Sequence, residues 1–184
     1  WRWLGPSADR RYTRRKHHPP LVRDKSLAFL KARPGLVLGT GVFILTFIIF
    51  VRILNNEFVW DDSILITNTF GIRGLNFRHL HWMMTTVHAA NFIPLSWLSY
   101  AIDYHLWKLN PLGFHLTNLI FHSLNAVLLF RISMMILPFS KDGFKKPWLF
   151  VGPAFASRAF SLHPLRVGSV AWACARLDVQ AGFF

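Results

Sequence analysis

Between Leu36 and Leu54 the chain reads LVLGTGVFILTFIIFVRIL, nineteen residues whose only charge, Arg52, lies two positions from the end. As a helix rising about 1.5 Å per residue this stretch covers about 28 Å, close to the roughly 30 Å hydrocarbon core of a bilayer. It is longer than the apolar core of a signal peptide, and Arg52-Ile53-Leu54-Asn55-Asn56 lacks the small residues that precede a cleavage point. The stretch therefore reads as an anchored membrane helix. Composition agrees. Of 184 residues 53% are hydrophobic and 16% charged, and 18 Phe with 8 Trp bury far more surface than a disordered chain carries. Cys174 is the only cysteine, which excludes a disulfide scaffold.

The formal charge of +13 comes from 21 Lys and Arg against 8 Asp and Glu, and ten of the basic residues fall within the first 33 positions. Charge of this kind attracts phosphate, yet the basic segment Arg10 to His18 (RRYTRRKHH) has no repeated helix face and no stacking platform. No nucleic-acid partner is expected. Residues 1–35 read instead as a cytoplasmic tail obeying the positive-inside rule.

A second span is expected over 114–137. It carries His115, Asn118, His122 and Asn125 at intervals of three, four and three, which places them on one helical stripe. Such a stripe is costly against lipid and belongs against other helices or a water-filled cavity. The segment 138–147 (PFSKDGFKKP) breaks the helix and carries three Lys. A third, shorter span is expected over 148–162, with Pro153 and Arg158 inside it, and a fourth begins over 179–184. The loop 55–113 holds only Arg73, Arg78 and Lys108 as basic residues. It is therefore placed outside together with segment 163–178, while the tail and loop 138–147 stay inside. Within the outer loop, Pro94 opens PLSWLSYAIDYHLW, a helix with Leu95, Leu98, Ile102 and Leu106 at helical spacing and Trp and Tyr between them, suited to the headgroup level. The expected fold is an all-α membrane protein with about three to four transmembrane helices and an outward loop of amphipathic helices.

Two polar clusters thus meet on one side of the membrane. The first, NNEFVWDDSI, carries Glu57, Asp61 and Asp62. Adjacent carboxylates can raise one another's pKa and supply a general base, and they serve equally as a solvated turn with a helix cap. The second, SLHPLRVGSVAWACARLDV, contains His163, Arg166, Arg176 and Asp178. A guanidinium fork suits a phosphate, with Asp178 placed to orient it; the alternative is a juxtamembrane helix whose Arg reaches lipid headgroups. The histidines have no zinc-ligand spacing such as HExxH, and neither a Gly-rich phosphate loop nor a GxSxG elbow occurs. A divalent metal is the one cofactor chemistry left open, since an acidic pair can hold a hard cation through oxygens, but no complete ligand set is visible.

The order of a hydrophobic helix, FVWDD, NFIPLSWLSYAIDYHLWKLNPLGFHLTNLIFHSLNAVLLF and SLHPLRVGSVAWACARLDVQAGFF resembles the membrane-embedded N-terminal part of the GT-C glycosyltransferases that carry C-terminal tetratricopeptide repeats. These are relatives of the transmembrane O-mannosyltransferases, and the wording is closer to the bacterial branch. The resemblance covers residues 36 to 184. It implies a GT-C-like helical bundle, placed in a bacterial inner membrane, that transfers a sugar with inversion from a polyprenyl-phosphate donor to a hydroxyl acceptor such as a protein Ser or Thr. Asp61 or Asp62 is then the base on the acceptor. Pro94-Leu95 matches the pair before the amphipathic helix, and His115, Asn118 and His122 match the family's His, Asn and His on the second span. His163, Pro164, Arg176 and Asp178 form the HP...R.D element, with Arg176 facing the phosphate leaving group. Two positions depart from the family: Gly168 stands where relatives usually carry Glu, and Leu177 where bacterial ones usually carry Lys. Arg158 lies where relatives are apolar. The chain is expected to be a fragment, inactive alone, either of such an enzyme or of a non-catalytic protein of the same fold.

Overall fold

The computed structural model describes residues 34–137 and 148–184; most of the expected tail, 1–33, and the loop 138–147 lie outside the described residues. Among the described residues the regular elements are helical, with one isolated bridge, His88 to Asn91, in place of any strand. Helix α1 spans Pro34–Phe50 and runs on through a 3-10 turn, Val51–Asn55. Short turns at Ser63–Thr67 and Phe70–Ile72 lead into α2, Phe77–Thr85, and α3, Pro94–Trp107. Then come α4, Pro111–Ile136, α5, Trp148–Ser161, α6, Arg166–Ala171, and α7, Arg176–Ala181.

Two of these elements are long and apolar enough to cross a membrane, Pro34–Asn55 and Pro111–Ile136. The helix expected as a third span is present, but its 14 residues reach about 21 Å, short of the roughly 20 residues that a crossing needs. Val179 falls inside α7, a helix of six residues that starts at Arg176. The expected three to four spans thus stand at two candidate spans among the described residues.

Helix α1 buries Gly39, Val42, Thr46 and Phe50, one stripe at intervals of three, four and four. Leu38, Ile44, Ile48 and Ile49 point outward, a surface suited to lipid. Gly39 faces α4, where a Cβ would sit in ordinary contact, 3.7 Å from Val127. Thr46 donates across to Ser161 of α5 at 3.3 Å. Small residues and hydroxyls are how helices associate where lipid removes the hydrophobic drive.

Helix α4 is the axis of the fold. Pro111 opens it with a preset φ, and Asn110 caps it by accepting from the Leu112 N–H at 3.1 Å. Gly113 is needed at its first turn because a Cβ there would stand 2.3 Å from Trp107 Cγ. All four polar residues of the expected stripe, His115, Asn118, His122 and Asn125, are buried against other elements.

The core that segment 55–113 builds with the start of α4 and with Trp172–Cys174 is aromatic. Trp82, Trp97, Tyr100 and Phe114 follow one another with ring centroids 5.6, 6.0 and 6.2 Å apart, and Phe58 meets Phe114 edge-on at 5.3 Å. Helix α3 supplies Trp97 and Tyr100 from one face, while Leu95, Ile102 and Leu106 are exposed on the other. Three of the four residues of the aliphatic stripe legible in the sequence thus face outward, while Leu98 packs against the core. Next to a membrane, lipid can cover that face, and the polar and aromatic side chains then turn inward, where they find partners.

Candidate functional site

The acidic pair is split by the fold. Asp62 is fully buried: Oδ1 accepts from the Cys174 N–H at 2.7 Å and Oδ2 from the Val59 N–H at 2.9 Å. Its carboxylate pins the loop after α1 to a segment 112 residues away in sequence. Asp61, one residue earlier, is exposed. It follows Trp60, whose φ of 50° lies in the left-handed region that non-glycine residues rarely enter. The Trp60 carbonyl accepts from Ser63 Oγ at 2.9 Å, and its indole, 81% exposed, meets Trp172 edge-on at 5.6 Å. Trp172 Nε1 in turn donates to the Val59 carbonyl at 3.3 Å. Two anchors therefore hold a strained turn that presents one free carboxylate.

Arg176 is fully buried. Nε donates to Asn118 Oδ1, Nη1 to Ser99 Oγ and Nη2 to the Phe114 carbonyl, each at 2.9 Å. Nη1 also forms an ion pair with Asp103 Oδ2 at 2.5 Å, and the guanidinium lies over the Tyr100 ring at 4.6 Å. Asp103 Oδ1 accepts from Thr117 Oγ1 at 2.7 Å. Burial pushes the Asp103 carboxyl above the usual carboxylate range, opposed by Arg176 and by the Thr117 and Arg176 hydrogen bonds. Burial also raises the Tyr100 phenol, which stays protonated and donates to the Cys174 carbonyl at 3.0 Å. The Cys174 thiol is raised by burial, then by Asp62.

The expected orienter of Arg176 was Asp178. The structure assigns that place to Asp103, and Asp178 is exposed, accepting from Ser169 Oγ at 3.0 Å. The reason is helical geometry: residues two apart on α7 point to different faces. Asp103 was legible only as the one acid within an aromatic helix, where a buried carboxylate must find a cation.

Asn118 does more than its place on the stripe implied. Besides accepting from Arg176, it donates through Nδ2 to the carbonyls of Trp172 and Ala173 at 3.0 and 3.2 Å. His122 Nε2 lies 3.0 Å from the Ser161 carbonyl. His115 is fully buried with the Asn56 and Glu57 backbone and Asp62 among its neighbours, and no well-directed hydrogen bond reaches either ring nitrogen. His163 is exposed, and its Nδ1 accepts from the Leu165 N–H at 3.3 Å. Pro94 is the first residue of α3. Leu177 is exposed, and a Cβ added at Gly168 would meet nothing within 4 Å.

Among the described residues no three His, Cys, Asp or Glu side chains gather as a metal-binding group. With both Asp62 oxygens taken by backbone N–H groups, Asp61 is the member of the pair with a carboxylate open to a cation or a substrate proton.

The chain is similar to the protein O-mannosyl-transferase Tmtc1 of Drosophila melanogaster, 26% identical over 172 residues that cover 89% of this chain and 19% of the relative. It is 28% identical to mouse TMTC2 over 144 residues, 74% of this chain and 16% of the relative, and 26% identical to human TMTC4 over 147 residues, 73% and 20%. The chain thus spans about a fifth of the length of these relatives. No family model and no solved structure matches it. The similarities support a distant relationship to the TMTC O-mannosyl-transferases.

Proposed function

We propose that this chain is the N-terminal part of an integral-membrane glycosyltransferase that moves a sugar from a polyprenyl-phosphate donor to a hydroxyl, such as a protein Ser or Thr, on the outward face of the membrane. The reading places the N-terminus in the cytoplasm and, from the wording of the motifs, the protein in a bacterial inner membrane. Similarity to proteins named protein O-mannosyl-transferases supports the reaction class. The observation that carries the site is the division within the acidic pair, an anchored Asp62 beside an exposed Asp61 on a strained turn.

In this mechanism the acceptor oxygen attacks the anomeric carbon and Asp61 takes the hydroxyl proton. The bond from that carbon to the phosphate oxygen breaks, and polyprenyl phosphate leaves with the electron pair. A well-placed general base contributes about 10²–10⁴ in rate. Arg176 serves here as a positioning residue: its guanidinium is enclosed and already engaged, so it fixes α3, α4 and the Trp172–Cys174 turn against one another. Asp62 does the same for the loop that carries the base.

The complete protein, supplied with polyprenyl-phosphate mannose and a Ser/Thr peptide, tests the reading. Asp61→Asn is expected to lower kcat by at least about 10²-fold with little change in thermal stability. Transfer that survives this substitution overturns the base assignment. A second reading, a non-catalytic membrane protein of the same fold, is favoured by Gly168, where relatives usually carry Glu, and by the enclosure of Arg176. If it holds, transfer is absent from the unsubstituted protein as well.

A further inference from the structure

Helices α1 and α4 leave an open groove of about 340 Å³ between them, lined by Gly39, Thr40 and Phe43 from α1 and by Leu124, Val127 and Arg131 from α4. The two helices run antiparallel along it: a Cβ at Gly35 would lie 3.5 Å from the Met134 side chain, and one at Gly39 3.7 Å from Val127. The groove therefore begins where α1 starts and α4 ends. From Phe43 the chain climbs about 18 Å more to Asn55 before it enters the loop that carries Asp61. Groove and Asp61 thus stand at opposite ends of α1, and the transfer proposed above makes no use of the groove.

Its polar groups follow one another inward. Arg131 is exposed, about 7.5 Å along α4 from the last helical residue, Ile136, and has no ion pair among the described residues. A guanidinium at that depth in a span is costly against hydrocarbon, and it reaches for the headgroups or for an anion. Gly39 is level with Val127, so Thr40 beside it lies about one turn deeper than Arg131. A Thr hydroxyl in a helix commonly donates to the carbonyl four residues back, as those of Thr67 and Thr85 do. Thr40 is exposed and has no such bond among the described residues, which leaves its hydroxyl open as a donor. Phe43 and Leu124 continue the groove as an apolar channel.

This order of guanidinium, hydroxyl and apolar channel discriminates between ligands. Inorganic phosphate suits the guanidinium fork and leaves the channel empty. A polyprenyl phosphate fills the channel but has no ester carbonyl for Thr40. Phosphatidylcholine supplies phosphate, esters and chains, yet its choline cation meets further positive charge. Lys31 and Arg33 directly precede α1 in sequence, and Lys141, Lys145 and Lys146 follow α4, against one acid, Asp142. Basic pockets between membrane helices select anionic headgroups for this reason. We infer that the groove between α1 and α4 is a binding site for an anionic glycerophospholipid, with its phosphodiester on Arg131, an ester carbonyl accepting from Thr40 Oγ1 and an acyl chain laid along Phe43, Leu124 and Val127.

Binding is measured by native mass spectrometry of the 184-residue chain released from detergent micelles, with dioleoyl phosphatidylglycerol, dioleoyl phosphatidylcholine and undecaprenyl phosphate as probes. Phosphatidylglycerol is expected to bind at least about tenfold more tightly than phosphatidylcholine. Arg131→Gln is expected to weaken it by a similar factor, with Arg131→Lys recovering part of the loss. Thr40→Phe keeps every charge and fills the groove, and is expected to weaken phosphatidylglycerol as much. Both substituted positions are exposed, so thermal unfolding is expected to stay close to the parent and loss of binding is not loss of fold. Equal affinity for the two phospholipids overturns the anionic assignment. Phosphatidylglycerol binding that survives Arg131→Gln belongs to the other basic residues, and binding that survives Thr40→Phe lies outside the groove; either result overturns the site. Undecaprenyl phosphate binding as tightly as phosphatidylglycerol overturns the glycerophospholipid assignment, and displacement of phosphatidylglycerol by millimolar sodium phosphate shows that the anion alone is recognised. The readout involves no sugar transfer, so its failure leaves Asp61 as the base, and failure of the Asp61 test leaves this site standing.

Discussion

Arg166 and Arg176 are ten residues apart in one polar segment, and the fold uses them in opposite ways. Arg176 is closed in by Asp103, Asn118, Ser99 and the Phe114 carbonyl, so four of its five N–H groups have a protein partner. Arg166 is stacked on Phe160, borders a cavity and has no ion pair among the described residues. A charge whose partners are protein groups acts on shape, whereas a charge that borders a cavity without an ion pair is available to a ligand. The acidic pair repeats the lesson at one residue's separation, with Asp62 consumed by the fold and Asp61 left free.

The sharpest way to break this contrast is to remove the countercharge of the enclosed arginine. Asp103→Ala leaves Arg176 buried and unpaired, and is expected to cost about 3–5 kcal/mol in denaturant unfolding of the detergent-solubilised chain. Asp62→Asn is next. Both Asp62 oxygens accept N–H groups, so an amide NH₂ must face a donor at one of them, for a loss of about 1–3 kcal/mol. Asp61→Asn in the same assay is expected to stay within about 0.5 kcal/mol of the parent.

Cys174 reports on the Asp62 anchor through pH. Its thiol is raised by burial and by Asp62, so it stays neutral where an unfolded thiol, with a pKa of about 8.5, already ionises. The stability this contributes is present below the ordinary thiol range and is lost as pH rises through the folded value. Alkylation by N-ethylmaleimide at pH 8 is expected to be at least about tenfold slower in the native chain than in denaturant, and faster in Asp62→Asn than in the parent. Two smaller effects complete the contrast. Gly168→Ala lies in a helix with open space around its Cβ and is expected to gain about 0.5–1 kcal/mol. Arg166→Gln is expected to change stability by less than about 0.5 kcal/mol, since no protein carboxylate among the described residues depends on it.

Much of the helical order was legible in the chain. The first apolar run, the stripe from His115 to Asn125 and the start at Pro94 each correspond to an element, because spacing at three and four residues and prolines at helix starts act locally. The third span was harder to read. Hydrophobicity over 148–162 marks a helix, and that helix is present and packs along α4, but its 14 described residues fall short of the length that identifies a span. The site was half legible. The segments carrying Asp61, Asp62, Arg176 and Asp178 stand out by composition, while Asp103 and Ser99 do not, since their meaning lies in groups 14 to 77 residues away.

The sequence by itself determined that two stretches are long and apolar enough to span a membrane, that a polar stripe runs down the second, and that acids and arginines collect in two segments. These follow from local period and composition. Only the tertiary structure decided which Asp is free, which Arg is enclosed and which carboxylate partners it. A charged side chain's role depends on whether protein or solvent completes its hydrogen bonds, and those partners come from helices far apart in the chain.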